Sequence, residues 1–376
     1  MKLSCTQENL KAALSSLERV VGKQGTLPIL SNILLETEKG RLRLSATNLE
    51  IGVITSIGAK INVEGRITVP AKLLINFIQN LALDQVVEIN QSGTQVILQS
   101  GNYTVKINGL DGKDFPIIPE KGNGRSFSIE SKVLHLGIQK TLFSVSLNES
   151  RPELTGVLMG FREGGVFLTT TDSFRLSEWQ MRGRVEGDAS FLENTQSPVI
   201  IPAYTLQEVV KVISQGNDLV QVVLEENQVF FEIGNTKIVS RLINGRFPEY
   251  QAIIPKQYST TITLPKNEFQ RALKIATSFS LYSSGEVVFR LNTEENHLEI
   301  HSQSQGIGEQ VAKIPFDGVL SETMQIVFNP RYILEGVGAL SGEQIIMSFN
   351  SPATPVRLSS TEDGEEYIYI VMPIRK

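Results

Sequence analysis

Cysteine is almost absent. A single thiol, Cys5, in 376 residues cannot form an internal disulfide, so a disulfide-stapled secreted scaffold is excluded and a reducing compartment is expected. Long apolar runs are missing too: no window approaches the roughly 20 residues that cross a bilayer. The opening MKLSCTQENLKAALSS lacks an apolar core of signal-peptide type. A soluble cytoplasmic chain without membrane partners is the expectation. An excess of positive charge is also lacking. The 35 Lys and Arg stand against 40 Asp and Glu, a net charge of −5, whereas proteins that coat nucleic acid with their whole surface are usually basic. What the chain does have is 41% hydrophobic residues, which excludes wholesale disorder, and a length that predicts two or three domains of roughly 100–200 residues.

The sequence repeats. GRITVPAKLLINFIQNL, with Val69-Pro70-Ala71, recurs as SPVIIPAYTLQEVVKVI, with Ile201-Pro202-Ala203, 132 residues later. A weaker third copy, MQIVFNPRYILEGVGAL, carries Asn329-Pro330. Leu42-x-Leu44 aligns with Val166-x-Leu168 at an offset of 124, and Leu298-x-Ile300 holds the same place in the third copy. Asp114-Phe115-Pro116 followed by Ile118-Pro119 returns as Arg246-Phe247-Pro248 followed by Ile254-Pro255. These phrases close the first two units and predict domains at 1–122, 123–254 and 255–376. Each opens with a strand and a helix. In the first, Leu10, Leu14, Leu17 and Val21 recur at helical spacing, with Thr6 placed to cap. Alternating strands follow, among them Val96-x-Leu98, Val105-Lys106-Ile107 and Tyr367-Ile368-Tyr369-Ile370. The fold class is α+β: antiparallel sheets with two helices per repeat confined to one side.

Catalytic chemistry is sparse. His297, Glu299 and His301 share one face of an alternating strand and have the spacing to touch a metal, but a zinc site wants a further ligand from a second element, so a solvated strand face is expected. Gly336-Val337-Gly338 imitates a dinucleotide fingerprint, yet it sits inside a helical pattern and not between a strand and a helix. Cys5 lies on the first strand and reads as a buried thiol; His135 lies on a helix and reads as structural. Thr169-Thr170-Thr171-Asp172 reads as a strand running into a turn. No catalytic residue, metal or cofactor is expected. Two other classes stay open at this point: an enzyme whose site assembles between repeats, and a triplicated β-rich scaffold that binds proteins without DNA.

An ordered set of phrases carries a family resemblance. Thr26-Leu27-Pro28-Ile29-Leu30 with Asn32, Asp114-Phe115-Pro116, Thr171-Asp172 with Arg175-Leu176, Asn244-Gly245-Arg246-Phe247-Pro248-x-Tyr250 and Val371-Met372-Pro373-Ile374-Arg375 span the chain. Together they resemble the bacterial DNA polymerase III β subunit, the sliding clamp. The resemblance implies a head-to-tail homodimeric ring, with helices lining the hole and sheets outside, that encircles double-stranded DNA without reading its sequence. It also implies a non-catalytic processivity factor whose partners are the replicative polymerase, the clamp-loader ATPase complex, repair polymerases, mismatch-repair proteins and ligase.

Charge location fits that expectation. The predicted helices hold 11 basic and 6 acidic side chains, a surplus of five that leaves −10 elsewhere. A mildly basic hole inside an acidic shell attracts phosphates without regard to sequence, while topology supplies retention. Arg19, Lys23, Lys72, Lys132, Lys140, Lys211 and Lys274 are the expected DNA-facing residues; Gln24 and Pro152 depart from the basic or aromatic residues that some relatives place against DNA. Residues 1–120 sum to +1 and 255–376 to −4, which favours head-to-tail over head-to-head pairing. By resemblance, the edge strand 103–107 meets the third domain of a second copy, with Val105 and Ile107 packing near Leu273 and Ile275.

The resemblance also implies a hydrophobic pocket for short partner peptides with Gln and Leu-Phe anchors. Its matching positions are Leu154, Thr171, Ser173, Phe174, Arg175, Leu176, Pro248, Ile253, Asn329, Tyr332, Ile370, Met372, Pro373, Ile374 and Arg375. Arg175 and Arg375 are expected to hold the peptide backbone or an acidic flank. Ser173-Phe174 stands where many relatives have Gly-His, and Lys376 where an apolar residue is common.

Overall fold

The computed structural model describes all residues except 23–26, 123, 163, 183–184, 188–197, 214–218, 281–284, 293–295, 305, 307, 321 and 376. Six α-helices lie among the described residues: α1 (Gln7–Leu17), α2 (Ala71–Gln79), α3 (Ser131–Thr141), α4 (Ala203–Val212), α5 (Lys266–Ser280) and α6 (Pro330–Ala339). Local chemistry accounts for their ends. The Thr6 hydroxyl accepts from Asn9 N at 3.4 Å and caps α1, satisfying one of the donors a helix start leaves free. Asn329 does the same for α6, accepting from Arg331 N at 3.0 Å ahead of Pro330. In α2, Ala71, Leu74, Ile75 and Ile78 form the buried stripe; burying each of the three large side chains contributes about 1.5–3 kcal/mol. Helix α1 ends one turn earlier than its apolar spacing suggests, so Arg19 and Val21 lie beyond it.

The described residues group into two compact units. The first comprises those of Met1–His135, Val185–Phe191 and Tyr204–Ile243; the second comprises those of Leu136–Arg184, Leu192–Ala203 and Asn244–Lys376. The middle repeat is thus divided between them, because sheets run across repeat boundaries.

In the first unit, a five-stranded sheet has the order Lys60–Val63, Lys2–Thr6, Val86–Ser92, Gln95–Ser100, Tyr103–Asn108. A ten-stranded sheet has the order Leu110–Asp111, Arg66–Pro70, Asn32–Glu38, Arg41–Thr47, Ile51–Gly58, Thr236–Arg241, Gln228–Ile233, Leu219–Leu224, Arg125–Glu130, Val185–Gly187. The first repeat joins the second where Ile51–Gly58 pairs antiparallel with Thr236–Arg241, placing Gly52 opposite Val239. Helix α1 packs on Ile51–Gly58 and on α2.

The second unit repeats the plan. Its nine-stranded sheet runs Val199–Pro202, Gly156–Arg162, Gly165–Thr171, Arg175–Arg182, Tyr367–Val371, Val356–Ser359, Gln344–Phe349, Thr260–Pro265, Asp317–Val319. Here Arg175–Arg182 pairs antiparallel with Tyr367–Val371 and places Leu176 opposite Ile370. A four-stranded sheet runs Gly308–Pro315, His297–Ser304, Val287–Asn292, Met324–Phe328, and α5 packs on it and on α6. Gly336 lets α6 approach the sheet, since a Cβ there would enter the ring of Tyr369. Unlike the half-buried alternation expected of sheet strands, Gly165–Thr171 is buried at all seven positions.

The side chains singled out for chemistry resolve plainly. Cys5 is buried, and that burial pushes its thiol up to about 12. The Glu299 carboxylate bridges the two imidazoles, at 3.0 Å from His297 Nε2 and 2.9 Å from His301 Nε2, with Lys313 Nζ at 3.2 Å. The three therefore bind one another across a strand face.

Candidate functional site

The turn that ends Gly165–Thr171 organises the site. The Thr171 hydroxyl donates to Arg175 O at 2.6 Å and accepts from Ser173 N at 3.1 Å. Asp172 Oδ1 accepts from Phe174 N and Arg175 N, both at 3.0 Å. Side-chain capping of this kind satisfies turn amides that the sheet does not reach. It holds Ser173 at φ 79°, in the left-handed region, a conformation that favours glycine and costs other residues about 1–3 kcal/mol. Arg151 Nη1 then donates to Ser173 Oγ at 3.0 Å.

Two adjoining clefts flank this turn. The smaller, of about 180 Å³, is walled by Thr171, Ser173, Arg175, Pro248, Ile253 and Met372, with Leu176 and Ile370 among its lining. Leu176 and Ile370 face each other across the sheet and are both buried, so they form its apolar floor. The larger, of about 460 Å³, is lined by Leu154, Phe174, Tyr332 and Leu147 among others. Arg151, Ser173 and Arg175 border both. Phe174 is 60% exposed, so its ring stands open at the rim. An apolar floor with few polar groups is the usual construction of a ligand site.

Two buried polar networks hold the walls. Tyr250, in the 3-10 turn Tyr250–Ile253, donates its hydroxyl to Glu178, which pairs with Arg162 Nη1 at 3.0 Å. Burial and the Glu178 charge together raise the Tyr250 hydroxyl above its ordinary value. The connector turn is thereby pinned with Pro248 and Ile253 at the cleft. On the opposite wall, Arg175 Nε donates to Asp172 Oδ2 at 2.9 Å, Nη1 to Glu335 and Nη2 to Phe143 O at 2.6 Å. The guanidinium lies over the rings of Phe143 and Tyr332 at 5.5 and 4.5 Å. Burial opposes its charge, but the Glu335 hydrogen bond, with the Asp172 charge, keeps it above its ordinary value. Met372 N donates to Phe174 O and Ile374 N to Val327 O, each at 2.8 Å, which ties the C-terminal segment to the turn.

Most of the residues expected at the pocket are brought together here. Asn329, Pro373, Ile374 and Arg375 line neither cleft: Asn329 caps α6, Pro373 is buried, Ile374 half-buried and Arg375 exposed. Arg175 needs a correction. It was expected to hold peptide, but its donors are committed within the chain and it is buried, so it positions the turn. Arg151, Glu249 and Tyr250 line the smaller cleft without having been expected there; Tyr250 was visible in the phrase ending Pro248-x-Tyr250.

The expected DNA-facing residues separate. Arg19, Lys72, Lys132, Lys211 and Lys274 occupy exposed positions, with Lys211 paired to Glu208. Lys23 lies outside the described residues, as does Lys376. Lys140 is a correction: it is 3% exposed, ion-paired with Asp363, and donates to Ala339 O at 2.9 Å. Its ammonium lies 5.1 Å from the Trp179 ring and 4.8 Å from that of Tyr367. A buried ammonium is tolerable only when paired and hydrogen-bonded in this way, and it is not available to phosphate.

The interface expectations need correction as well. Ile107 is 3% exposed and Leu273 fully buried, both within their own units, whereas Ile275 is 52% exposed and Val105 half-buried. Only the last two have surface to offer. The strands Tyr103–Asn108 and Gly308–Pro315 lie at the edges of their sheets.

Known proteins share this fold. Sequence models of the DNA polymerase III beta subunit match in order: the N-terminal domain over residues 1–119, the central domain over 128–249 and the C-terminal domain over 251–375. A beta sliding clamp from Synechocystis is 32% identical over 392 aligned residues, covering 100% of this chain and 99% of that protein. The crystal structure of the sliding clamp from Bacillus subtilis matches with a TM-score of 0.91 at 27% identity, covering 100% of this chain and 99% of that one. A sliding clamp from Bartonella birtlesii bound to griselimycin matches with a TM-score of 0.92 at 25% identity, covering 100% of both chains. Three tandem α+β domains with antiparallel sheets define a DNA clamp. The chain belongs to the DNA polymerase III beta subunit family, the β sliding clamps. Its function is that of a DNA sliding clamp, a processivity factor and accessory subunit of a DNA polymerase.

Proposed function

We propose that domains 1–122, 123–254 and 255–376 of two copies close head to tail into a ring around duplex DNA, and that partner proteins dock by a short peptide in the clefts beside Ser173. The observation that carries this reading is the apolar floor of Leu176 and Ile370, walled by the Pro248–Ile253 connector, in a chain of this family. A peptide with Leu and Phe anchors suits such a floor, because a few desolvated side chains supply most of the energy of a small interface. The replicative polymerase, clamp loader, repair polymerases, mismatch-repair proteins and ligase compete for it. The chain acts without a catalytic group, metal or cofactor of its own, in the cytoplasm.

The exposed cations Arg19, Lys72, Lys132, Lys211 and Lys274 attract the duplex through long-range fields, and retention comes from closure. At the subunit contact the two free sheet edges, Tyr103–Asn108 and Gly308–Pro315, pair across copies, with Ile275 and Val105 covering one another. The decisive experiment loads the protein with its ATPase on nicked circular and linearised plasmid. Retention on the circle with loss from the linear form is expected; equal retention on both refutes encirclement. For the clefts, truncation after Val371 should abolish binding of a Leu-Phe peptide in a titration, and unchanged binding refutes that assignment.

A further inference from the structure

The two compact units contain the same junction twice, built on matching residues. In the second unit Thr171 pairs with Leu176 and Leu176 with Ile370; in the first, Thr47 pairs with Gly52 and Gly52 with Val239. The turns agree hydrogen bond for hydrogen bond. The Thr47 hydroxyl donates to Ile51 O at 2.9 Å and accepts from Leu49 N at 3.0 Å, and Asn48 Oδ1 accepts from Glu50 N and Ile51 N at 3.0 and 2.9 Å. Leu49 holds φ 78° where Ser173 holds 79°. The first junction therefore has the frame of a cleft, with Gly52 and Val239 in the places of Leu176 and Ile370.

The frame is filled. Ile118, from the connector that follows Phe115-Pro116, is only 8% exposed and packs in one cluster with Leu34, Ile54, Phe230 and Val239. A Cβ on Gly52 would stand 2.7 Å from Ile118 Cγ2 and 3.2 Å from Val239 Cγ1, so glycine is needed for the plug to seat. The open space that remains beside it, about 440 Å³, keeps Ile54, Phe230 and Val239 in its lining but is rimmed by Lys39, Arg43, Lys121 and Lys237 against Glu38, Glu120 and Glu232, so charge surrounds the apolar surface that the plug leaves. Connector length explains the difference. Ile118 follows Pro116 by two positions, but Ile254 follows Pro248 by six, and the four extra residues form the 3-10 turn that stands aside from the Leu176 and Ile370 floor. We infer that the first junction is a second peptide site of the same class, closed in cis by Ile118, so that each chain accepts one apolar-anchored peptide and not two.

This inference rests on the reading of the second-unit cleft as a peptide site, and the test separates the two. A fluorescein-labelled synthetic decapeptide carrying a Gln and a Leu-Phe pair is titrated into the full-length protein and into Ile118→Gly. One equivalent per wild-type chain and two per variant chain, the second within about tenfold of the first in affinity, is the expected result. One equivalent in both, with a native-like melt of the variant, overturns the plug. No binding to wild type overturns the reading of the second-unit cleft itself. Should Ile118→Gly fail to fold, Gly52→Ala tests the same idea, because its methyl group displaces Ile118: two equivalents support the plug, and one overturns it.

Discussion

Leu49 and Ser173 adopt the same left-handed backbone, φ 78° and 79°, in turns 124 residues apart. Neither is a glycine, so each turn is held by its own hydrogen bonds against a local preference. At Ser173 the forced conformation sits between the two clefts, and it is one that a glycine would adopt without steric cost.

Replacing Ser173 with glycine removes that strain and loses the contact with Arg151 at 3.0 Å. A net gain of about 0.5–1 kcal/mol is expected, seen as a raised urea midpoint at constant slope. A lowered midpoint would mean that the Arg151 hydrogen bond outweighs the backbone term.

Lys140→Met leaves Asp363 without its cation. Burial raises the Asp363 carboxyl while the hydrogen bonds from Lys140 and Ser341 lower it, and the lowering prevails. Removing one partner of such a pair costs about 3–5 kcal/mol, to be read by urea denaturation. A Lys72→Met variant should instead keep its stability and flatten the salt dependence of duplex binding by about one counterion. A stable Lys140→Met with weaker DNA binding would reverse the assignment of Lys140 to the core.

At the proposed subunit contact, Ile275→Asp should give folded monomers by size-exclusion chromatography with light scattering. Ile107→Asp should unfold the first unit instead, because a carboxylate at a buried position has no partner. Folded dimers of Ile275→Asp would place the contact elsewhere.

Glu299 gives an acid limb. Hydrogen bonds from His301, His297 and Lys313 lower its carboxyl from 4.5 to about 2. A depressed carboxyl adds stability that is present above pH 4.5 and is lost as pH falls towards 2. The gap in urea midpoint between wild type and Glu299→Gln should therefore narrow through that window. A gap that does not change with pH would leave those hydrogen bonds without an electrostatic role.

Much of this organisation can be read in the chain. The 124-residue offset between Leu42-x-Leu44 and Val166-x-Leu168 reappears as equivalent registers, Thr47 opposite Gly52 and Thr171 opposite Leu176. The cap at Thr6 and the helix through Gly336 are local and were legible for that reason. Lys140 was not. Its place in α3 predicts an outward cation, and only Asp363, more than 200 residues away, turns it inward. Ile107 and Leu273 failed similarly: alternation marks them as apolar but does not distinguish a partner's surface from their own core.

Sequence alone determined the three repeats, the Thr6 cap and the family, because these depend on local pattern and on order along the chain. Tertiary structure alone decided which junction stays open. Gly52 and Leu176 are equivalent in sequence, yet a connector shorter by four residues brings Ile118 onto the first, while the longer one leaves the floor of the second uncovered. Which side chain fills a space is set by packing between segments distant in sequence, and no local pattern records it.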